Sequence, residues 1–487
     1  MGGAGVDLPQ ESHVLIVGAG PTGIGAAWRL HELAQRQMID PGLSWLLAEQ
    51  TAGAGGMAAS VTDGEGFTWD LGGHIIYSHY RYFDDFVDQL VGGELLQHER
   101  RGWVWMRDRF IPFPIQRNIR NLPPDDLVRC LKDLLGKRRN GGDAPPANFA
   151  EWLDDQFGPA LSEIFFLPYN YKMWAHRPEE MEVSWTQRKS GSRYANVPLV
   201  DVQRLLETVV CQQDDPGWAG ASRFPYPRQG GAGLLWDRAC TRLPAGNIAL
   251  GQQLVALDPA ERIAVFGSGL QVRYRHLISS APLPQLLRLL PERSELYRAH
   301  CPLKHSRSHV IGVGIRGERP AAFADKFWIY SPDPAVPFFR ATILSNYSSD
   351  NTPPGHWSML CEISESEEKP VDAGELPAAV EAALRRGGFI PADQPVVTRW
   401  HRRLDYGYPV PCLKRDAFLR EVEPALRRLG IRSRGRFGGW KYESSNQDNS
   451  FMQGVEAVDA VLFGAEELSY FYPDLLCEGA VDRRLPN

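Results

Sequence analysis

The chain has 487 residues with ordinary globular proportions, 43% hydrophobic and 23% charged. Its length predicts about three domains, and its formal net charge of −6 argues against a basic nucleic-acid-binding protein. The 47 glycines and 37 prolines follow no period, which excludes a collagen.

Features of membrane and exported proteins are missing from the sequence. No apolar run reaches the ~18 residues that span a bilayer, and residues 1–12 lack the basic-then-apolar order of a signal peptide. The seven cysteines are scattered without a CxxC pair, which favours reduced thiols and no metal site. We therefore expect a cytoplasmic protein that binds neither membrane nor nucleic acid.

A glycine-rich turn near the N-terminus is the first functional motif. Residues 13–17 form an apolar run that predicts a buried parallel strand, and Gly18-x-Gly20-x-x-Gly23 follows at once. We expect Gly18 to allow a tight turn, Gly20 to admit a pyrophosphate, and Gly23 to let a helix pack on the strand. A helix and a second strand then lead to Glu49, whose carboxylate can bind ribose hydroxyls.

Further glycines favour FAD over a nicotinamide cofactor at this site. Gly55 and Gly56 follow the acid closely, and residues 72–74 (Gly-Gly-His) predict another close approach of the backbone to the cofactor. Near the other chain end, residues 435–439 are glycine-rich, and Ser450 is a candidate either for the N-cap of a following helix or for a second anion site. Both chain ends are thus expected to bind one long cofactor.

The rest of the chain divides into helical and strand-rich parts. Apolar residues at helical spacing over 121–215 predict a mainly helical insertion. Short apolar runs over 245–280 and 308–365 predict strands. Helical spacing returns at 375–387 and 416–429.

Six segments closely resemble the eukaryotic-type UDP-galactopyranose mutases, in order over residues 13–465. They are GAGPTGIGAAWRL (18–30), DLGGHIIYSHYRYFDD (70–85), PYNYKMWA (168–175), PFFRATILSNYS (337–348), HRRLDYGYP (401–409) and GRFGGWKYESSNQDNSFMQGVEA (435–457). The resemblance implies an α/β fold in which a helical domain and a mixed or antiparallel β-sheet domain interrupt a Rossmann-like FAD-binding domain.

The resemblance also implies domain limits that interleave along the chain. We expect the FAD-binding α/β domain at 13–98, 221–290 and 432–480, the mainly helical domain at 116–215, and the β-sheet substrate domain at 99–115 and 300–430. A homo-oligomer is compatible with this organisation.

The activity implied is the interconversion of the pyranose and furanose forms of a nucleotide sugar, with UDP-galactopyranose and UDP-galactofuranose expected. In this family, N5 of reduced flavin attacks the anomeric carbon and displaces UDP, and NAD(P)H is the expected reductant. Three alternatives stay open: the same chemistry on another nucleotide sugar, a flavin oxidoreductase of the amine-oxidase type, or a catalytically silent sugar-nucleotide binder that retains the fold.

Three catalytic residues follow from the resemblance: His74, Arg188 and Arg340. Arginine suits a diphosphate leaving group because its planar guanidinium donates two parallel hydrogen bonds. Arg193 is the alternative to Arg188, because the sequence around them departs from the family pattern. For His74, the resemblance implies that its backbone carbonyl contacts flavin N5–H.

The remaining site residues divide into cofactor-binding and substrate-binding sets. Phe113 stands where the family commonly has Tyr, so the resemblance does not decide the identity of the nucleotide base or of the sugar in the substrate. The cofactor set is Gly18, Gly20, Thr22, Gly23, Glu49, Gln50, Gly56, Met57, Ala58, Gly73, His74, Leu254, Arg436, Asn446, Gln447 and Ser450. The substrate set is Phe113, Gln116, Phe165, Tyr169, Asn170, Trp174, Arg188, Tyr330, Arg340, Tyr408, Tyr442 and Asn446.

Overall fold

Two seven-stranded sheets form the framework of the protein. The computed structural model describes residues 9–137, 145–186, 197–215, 223–297, 301–473 and 483–484, so Arg188 and Arg193 lie outside the described residues. The strands are β1 (Glu11–Val17), β2 (Trp45–Glu49), β3 (Ser60–Thr62), β4 (Thr68–Asp70), β5 (Leu95–Glu99), β6 (Gly102–Met106), β7 (Arg109–Pro112), β8 (Arg223–Pro227), β9 (Ile248–Leu250), β10 (Leu254–Asp258), β11 (Ile263–Phe266), β12 (Gln271–Ser279), β13 (His305–Arg316), β14 (Trp328–Tyr330), β15 (Arg340–Thr342), β16 (His356–Glu365), β17 (Val396–Pro409) and β18 (Ile431–Ser433).

Helices cover the sheets and form a separate group between β7 and β8. The helices are α1 (Pro21–Gln35), α2 (Arg81–Val91), α3 (Pro124–Lys137), α4 (Phe149–Phe157), α5 (Pro159–Leu161), α6 (Leu167–Trp174), α7 (Val202–Val210), α8 (Leu234–Arg242), α9 (Leu283–Arg288), α10 (Leu376–Arg386), α11 (Arg415–Arg428), α12 (Gly435–Gly438), α13 (Gln447–Phe463) and α14 (Leu468–Phe471). In the part of the chain that is described, no helix is both long and apolar enough to cross a membrane.

The first sheet has the order β10-β11-β12-β1-β2-β9, and β18 also pairs with β12. Strands β12, β1, β2, β9 and β18 run parallel to one another. Strand β11 lies between β10 and β12 and is antiparallel to both. Val14 and Ile16 face a core with α1, α2, α8 and α13, while Leu15 and Val17 face another with α9 and α11. The apolar run of β1 therefore reflects burial on both faces.

Helices α1 and α13 contact each other backbone to backbone, although they come from opposite chain ends. A Cβ on Gly25 would lie 2.2 Å from Phe451 O, and one on Gly454 would lie 1.9 Å from Thr22 O. Only glycine permits this approach. Helix α13 begins at Gln447, so the N-cap predicted at Ser450 is wrong: Asn446 holds that position, and local backbone geometry decides where the helix starts.

The second sheet has the order β17-β13-β16-β15-β14-β6-β7 and is antiparallel except for the β14–β6 pair. Its register places Arg340 directly opposite Tyr330 on one side and Glu362 on the other. The α/β class, with a Rossmann-like unit, a helical insertion and a mixed sheet, is confirmed.

Candidate active site

A cavity of about 1280 Å³ is lined by residues of both sheets. One end is formed by the glycine-rich turn after β1 and by Glu49 at the end of β2. The other end contains Arg340 and the tyrosine side chains of the second sheet. The turn after β1 and Glu49 belong to the first sheet, whereas Arg340 belongs to the second sheet. The cavity between them therefore joins a dinucleotide-type site to a second polar site.

The glycine-rich turn has the geometry that its three glycines predict. Gly18 adopts φ +98°, and a Cβ on Gly23 would lie 1.7 Å from Gly18 O. Gly20 lines the cavity, and helix α1 begins there with neither a side-chain cap nor an acidic residue in its first turn. The first N–H groups of α1 are therefore available to a phosphate group.

Glu49 is oriented by backbone groups at the end of β2. One carboxylate oxygen accepts from Ala19 N at 2.8 Å, and the other accepts from the N and Oγ1 of Thr51, both at 2.8 Å. These bonds hold the carboxylate next to the glycine-rich turn, where it also lines the cavity. Carboxylates in this position accept hydrogen bonds from ribose hydroxyls.

His74 lies further along the cavity, after two glycines. Its Nε2 is buried and has no hydrogen-bond partner among the described residues. Burial lowers the pKa of His74 to about 4, and the nearby Arg340 and Arg436 guanidiniums also lower it, against the influence of Glu362. The imidazole is therefore neutral at physiological pH, with a polar atom to offer to a bound molecule.

These features together fit FAD. The uncapped helix, the open backbone at Gly20 and the Glu49 carboxylate suit an ADP moiety. His74 and the unsatisfied Nε of Arg436 lie where the cavity continues toward the second sheet. A nicotinamide cofactor would account for the first group of features, whereas FAD accounts for both.

Arg340 and Glu362 form a two-bond ion pair inside the cavity. Nε of Arg340 donates to Oε2 of Glu362, and its second nitrogen donates to Oε1 at 2.7 Å. Burial opposes the charge on Arg340, but the Glu362 carboxylate holds the pKa of the guanidinium well above its usual value. Gly73 N also donates to Glu362 at 3.3 Å, so the pair contacts the loop that carries His74.

Three predicted tyrosines line the cavity around this pair: Tyr330, Tyr408 and Tyr442. Burial raises the pKa of each hydroxyl, although Arg340 partly opposes the shift, so all three remain protonated donors. The Arg436 guanidinium lies over the rings of Tyr408 and Tyr442, 5.1 and 5.4 Å from their centroids. Two cations and three hydroxyl donors thus converge on a space suited to an anion.

The cofactor predictions mostly coincide with the cavity wall, and Gly23 is the exception because it packs behind the turn. The predicted cofactor residues that line the cavity are Gly18, Gly20, Thr22, Glu49, Gln50, Gly56, Met57, Ala58, Gly73, His74, Leu254, Arg436, Asn446, Gln447 and Ser450. Their contact with FAD stays a prediction.

The predicted substrate residues split between the wall and a layer behind it. Tyr330, Arg340, Tyr408, Tyr442 and Asn446 line the cavity, whereas six others do not. Those six are Phe113, Gln116, Phe165, Tyr169, Asn170 and Trp174.

Four aromatic members of this second layer continue from the tyrosines. Phe113 and Tyr169 have ring centroids 4.9 and 5.9 Å from that of Tyr330, and Phe165 stacks on Tyr169 at 5.2 Å. Trp174 lies 4.7 Å from the Tyr442 ring. The structure therefore brings these rings together as one aromatic group.

The two amides of the second layer have internal partners. Gln116 donates to Pro198 O at 2.8 Å. Asn170 donates to Phe166 O at 2.8 Å and accepts from Trp174 Nε1 at 3.1 Å. These bonds use only part of the hydrogen-bonding capacity of each amide, and a role in substrate binding stays a prediction.

Glu362, which lines the cavity and pairs with Arg340, is a candidate site residue that the sequence analysis did not identify. It lies within residues 359–363, which predict a strand because they are apolar apart from this one acid. A lone carboxylate in a buried strand indicates a partner, since an unpaired buried charge is costly. The strand register that names Arg340 as this partner was not visible in the sequence.

Comparisons with known proteins agree with this geometry. Residues 16–90 match the family model of an NAD(P)-binding Rossmann-like domain. The chain is similar to a crystal structure of reduced UDP-galactopyranose mutase, with 38% identity, 97% of this chain and 98% of that chain covered, and a TM-score of 0.91.

More distant structures share the fold alone. Cyclohexylamine oxidase from Brevibacterium oxydans has 15% identity, with 92% of this chain and 98% of that chain covered and a TM-score of 0.65. A fatty acid isomerase from P. acnes has 13% identity, with 95% and 100% covered and a TM-score of 0.60. The extent and identity of the mutase match show that this chain belongs to the UDP-galactopyranose mutase family.

Proposed function

We propose that the protein is a flavin-dependent mutase that interconverts UDP-galactopyranose and UDP-galactofuranose. The observation that carries this proposal is the position of Arg340, a guanidinium only 20% exposed at the far end of a cavity whose near end fits FAD. A simple oxidoreductase needs no arginine of this kind, whereas displacement of a diphosphate does.

The chain's own residues then have separate tasks. Arg340 binds the diphosphate and stabilises the negative charge that grows as the bond to the anomeric carbon breaks. Tyr330, Tyr408 and Tyr442 donate hydrogen bonds to the same oxygens, and Glu362 orients the guanidinium. Reduced FAD, when bound, supplies the nucleophile for the sugar.

His74 contributes as a neutral group. Its low pKa means that His74 adds no further positive charge beside Arg340 and Arg436 at neutral pH. Its loop contacts the Arg340–Glu362 pair through Gly73, so the cofactor end and the diphosphate end of the cavity share one structural element. We assign to the His74 carbonyl the contact with the flavin edge that the resemblance implies.

Four finer assignments belong to the same proposal. Arg188 supplies a second guanidinium, NAD(P)H reduces the flavin, the protein works in the cytoplasm, and it belongs to the eukaryotic-type branch of its family. The family's reaction, in which no net oxidation occurs, supports a separate reductant. The resemblance of the segments given above supports the branch.

A turnover assay tests the function directly. Purified, flavin-loaded protein is given UDP-galactofuranose with dithionite, with NADPH, or with neither. We expect UDP-galactopyranose to form only with a reductant, and the reductant not to be consumed per turnover. Stoichiometric oxidation of substrate would instead identify an amine-oxidase-type enzyme.

Phe113 is the reason to extend that assay to other nucleotide sugars. Its ring lies 4.9 Å from Tyr330, but it lacks the hydroxyl common at this position in the family. The panel therefore includes UDP-linked N-acetylhexosamines, pentoses and TDP-linked deoxyhexoses. Faster turnover of one of these would keep the chemistry and correct the substrate.

A further inference from the structure

Lys172 is a buried lysine behind the wall of the cavity. It lies in α6 and is 7% exposed. Its Nζ donates to two backbone carbonyl oxygens, those of Ser331 at 2.9 Å and Asp333 at 2.8 Å. Burial lowers the pKa of Lys172 to about 7; Asp333 opposes this shift and Lys369 adds to it. Burying an ammonium group costs free energy, and hydrogen bonds to buried acceptors offset part of that cost.

The two carbonyl oxygens belong to the loop between β14 and β15. Three of the nine residues in this loop, 331–339, are prolines, which have no N–H to donate. Ser331 N donates to Phe339 O at 3.0 Å and closes the base of the loop. Lys172 supplies from outside the donors that the loop's own backbone lacks.

This loop connects the two strands that present Tyr330 and Arg340 to the cavity. Tyr330 precedes the loop directly, Arg340 follows it directly, and the two residues pair across β14 and β15. From α6, the Tyr169 ring packs at 89° to the Tyr330 ring, with 5.9 Å between centroids. Helix α6 therefore contacts this pair of strands in two places, at the Tyr330 ring and, through Lys172, at the loop.

We propose that Lys172 is a positioning residue for the diphosphate site, acting through Tyr330 and Arg340 without touching the substrate. The inference rests on the proposed function, which assigns these two side chains to the diphosphate. Without the Lys172 amino group, the carbonyl oxygens of Ser331 and Asp333 lose their side-chain hydrogen-bond donor. The loop then relaxes, and Tyr330 and Arg340 no longer keep the spacing that binds both phosphates.

Lys369 provides a matched control. Its pKa is also lowered by burial, and its Nζ donates to one backbone carbonyl, that of Ser364, at 2.7 Å. This bond is the same kind of interaction as those of Lys172, but it is made to the end of β16 and not to the β14–β15 loop.

The test measures the dissociation constant of UDP by calorimetry on flavin-loaded protein. We expect Lys172→Met to weaken UDP binding about tenfold, with flavin content unchanged because the cofactor pocket lies mainly on the first sheet. Lys172→Arg keeps the charge and two donors, so we expect it to restore most of the affinity. Lys369→Met is expected to bind UDP as the unaltered protein does.

A double-mutant cycle separates positioning from general destabilisation. If Lys172 acts through Tyr330, the losses in UDP affinity from Lys172→Met and Tyr330→Phe are not additive. Should Lys172→Met fail to fold with flavin, Lys172→Gln, whose amide still donates hydrogen bonds but carries no charge, takes its place in the cycle.

Three outcomes overturn the inference: additive losses, equal weakening by Lys369→Met, or unchanged UDP affinity in Lys172→Met. If the unaltered protein itself binds no UDP, the proposed function is wrong and the inference is wrong with it. If the unaltered protein binds UDP and the Lys172→Met protein binds it as tightly, the inference alone is wrong.

Discussion

The two ends of the cavity are built in different ways. The cofactor end comes largely from one contiguous unit, in which β1, a glycine turn, α1 and β2 follow each other within residues 11–49. The proposed diphosphate end collects single side chains from distant segments, such as Tyr330, Arg340, Tyr408 and Tyr442. Backbone groups dominate the first end, whereas charged and phenolic side chains dominate the second.

This difference predicts how each end fails. A backbone site depends on close approach, so one added methyl group can remove it entirely. A side-chain site loses one interaction at a time, and each loss has a limited cost. Variants at the two ends should therefore separate cofactor loading from turnover.

Gly23→Ala should have the largest effect. The new Cβ would lie 1.7 Å from Gly18 O, and both are backbone positions that cannot move independently. We expect protein with little bound flavin, measured by absorbance, and a lower thermal midpoint, since overpacking costs about 1–3 kcal/mol. Gly64→Ala is the control, because its Cβ meets nothing within 4 Å. Full flavin loading in Gly23→Ala would contradict the backbone account.

Arg340→Ala should separate the two ends most clearly. We expect turnover to fall about 10²-fold or more, as when a group that stabilises transition-state charge is removed, while flavin content stays normal. Steady-state kinetics with dithionite measure the first quantity and absorbance the second. Arg402→Ala, an exposed arginine on the same cavity wall, should change turnover little. Near-normal turnover of Arg340→Ala would remove the basis of the proposed function.

Glu362→Gln should have an intermediate effect. The amide keeps the shape but loses the charge that pairs with Arg340, so the guanidinium is less well oriented. We expect turnover to fall about tenfold, equivalent to about 1.4 kcal/mol in the barrier. Glu65→Gln, an exposed acid in the turn between β3 and β4, is the control. If both variants retain full turnover, Glu362 has no part in orienting Arg340.

The smallest effect concerns pH. Folded His74 has a pKa of about 4, below its usual 6.5, so the unfolded chain binds a proton at a higher pH than the folded one. The free energy of unfolding should therefore fall as the pH drops from about 6.5 towards 4. Urea unfolding at several pH values should show a shallower fall for His74→Asn, and identical slopes above pH 7. The same slope in both proteins at low pH would show that His74 is not buried as described.

Sequence reasoning located the part of the cavity wall that is formed by contiguous residues. The glycine turn and Glu49 were recognisable because spacing alone decides their geometry. Arg340 was found only through the resemblance of its segment to a known family. Glu362, 22 residues later, was missed because its role depends on the register of β15 against β16. Lys172 was missed for the same reason, since its partners lie more than 150 residues away.

The sequence by itself therefore determined the Rossmann-like unit, the expectation of FAD and the family, because local turns and ordered motifs carry that information. Only the tertiary structure decided that Arg340 pairs with Glu362, that three tyrosines surround them, and that Lys172 supports their loop. Strand register and helix packing place residues that are remote in the chain within hydrogen-bond distance, and no spacing rule in one sequence specifies such contacts.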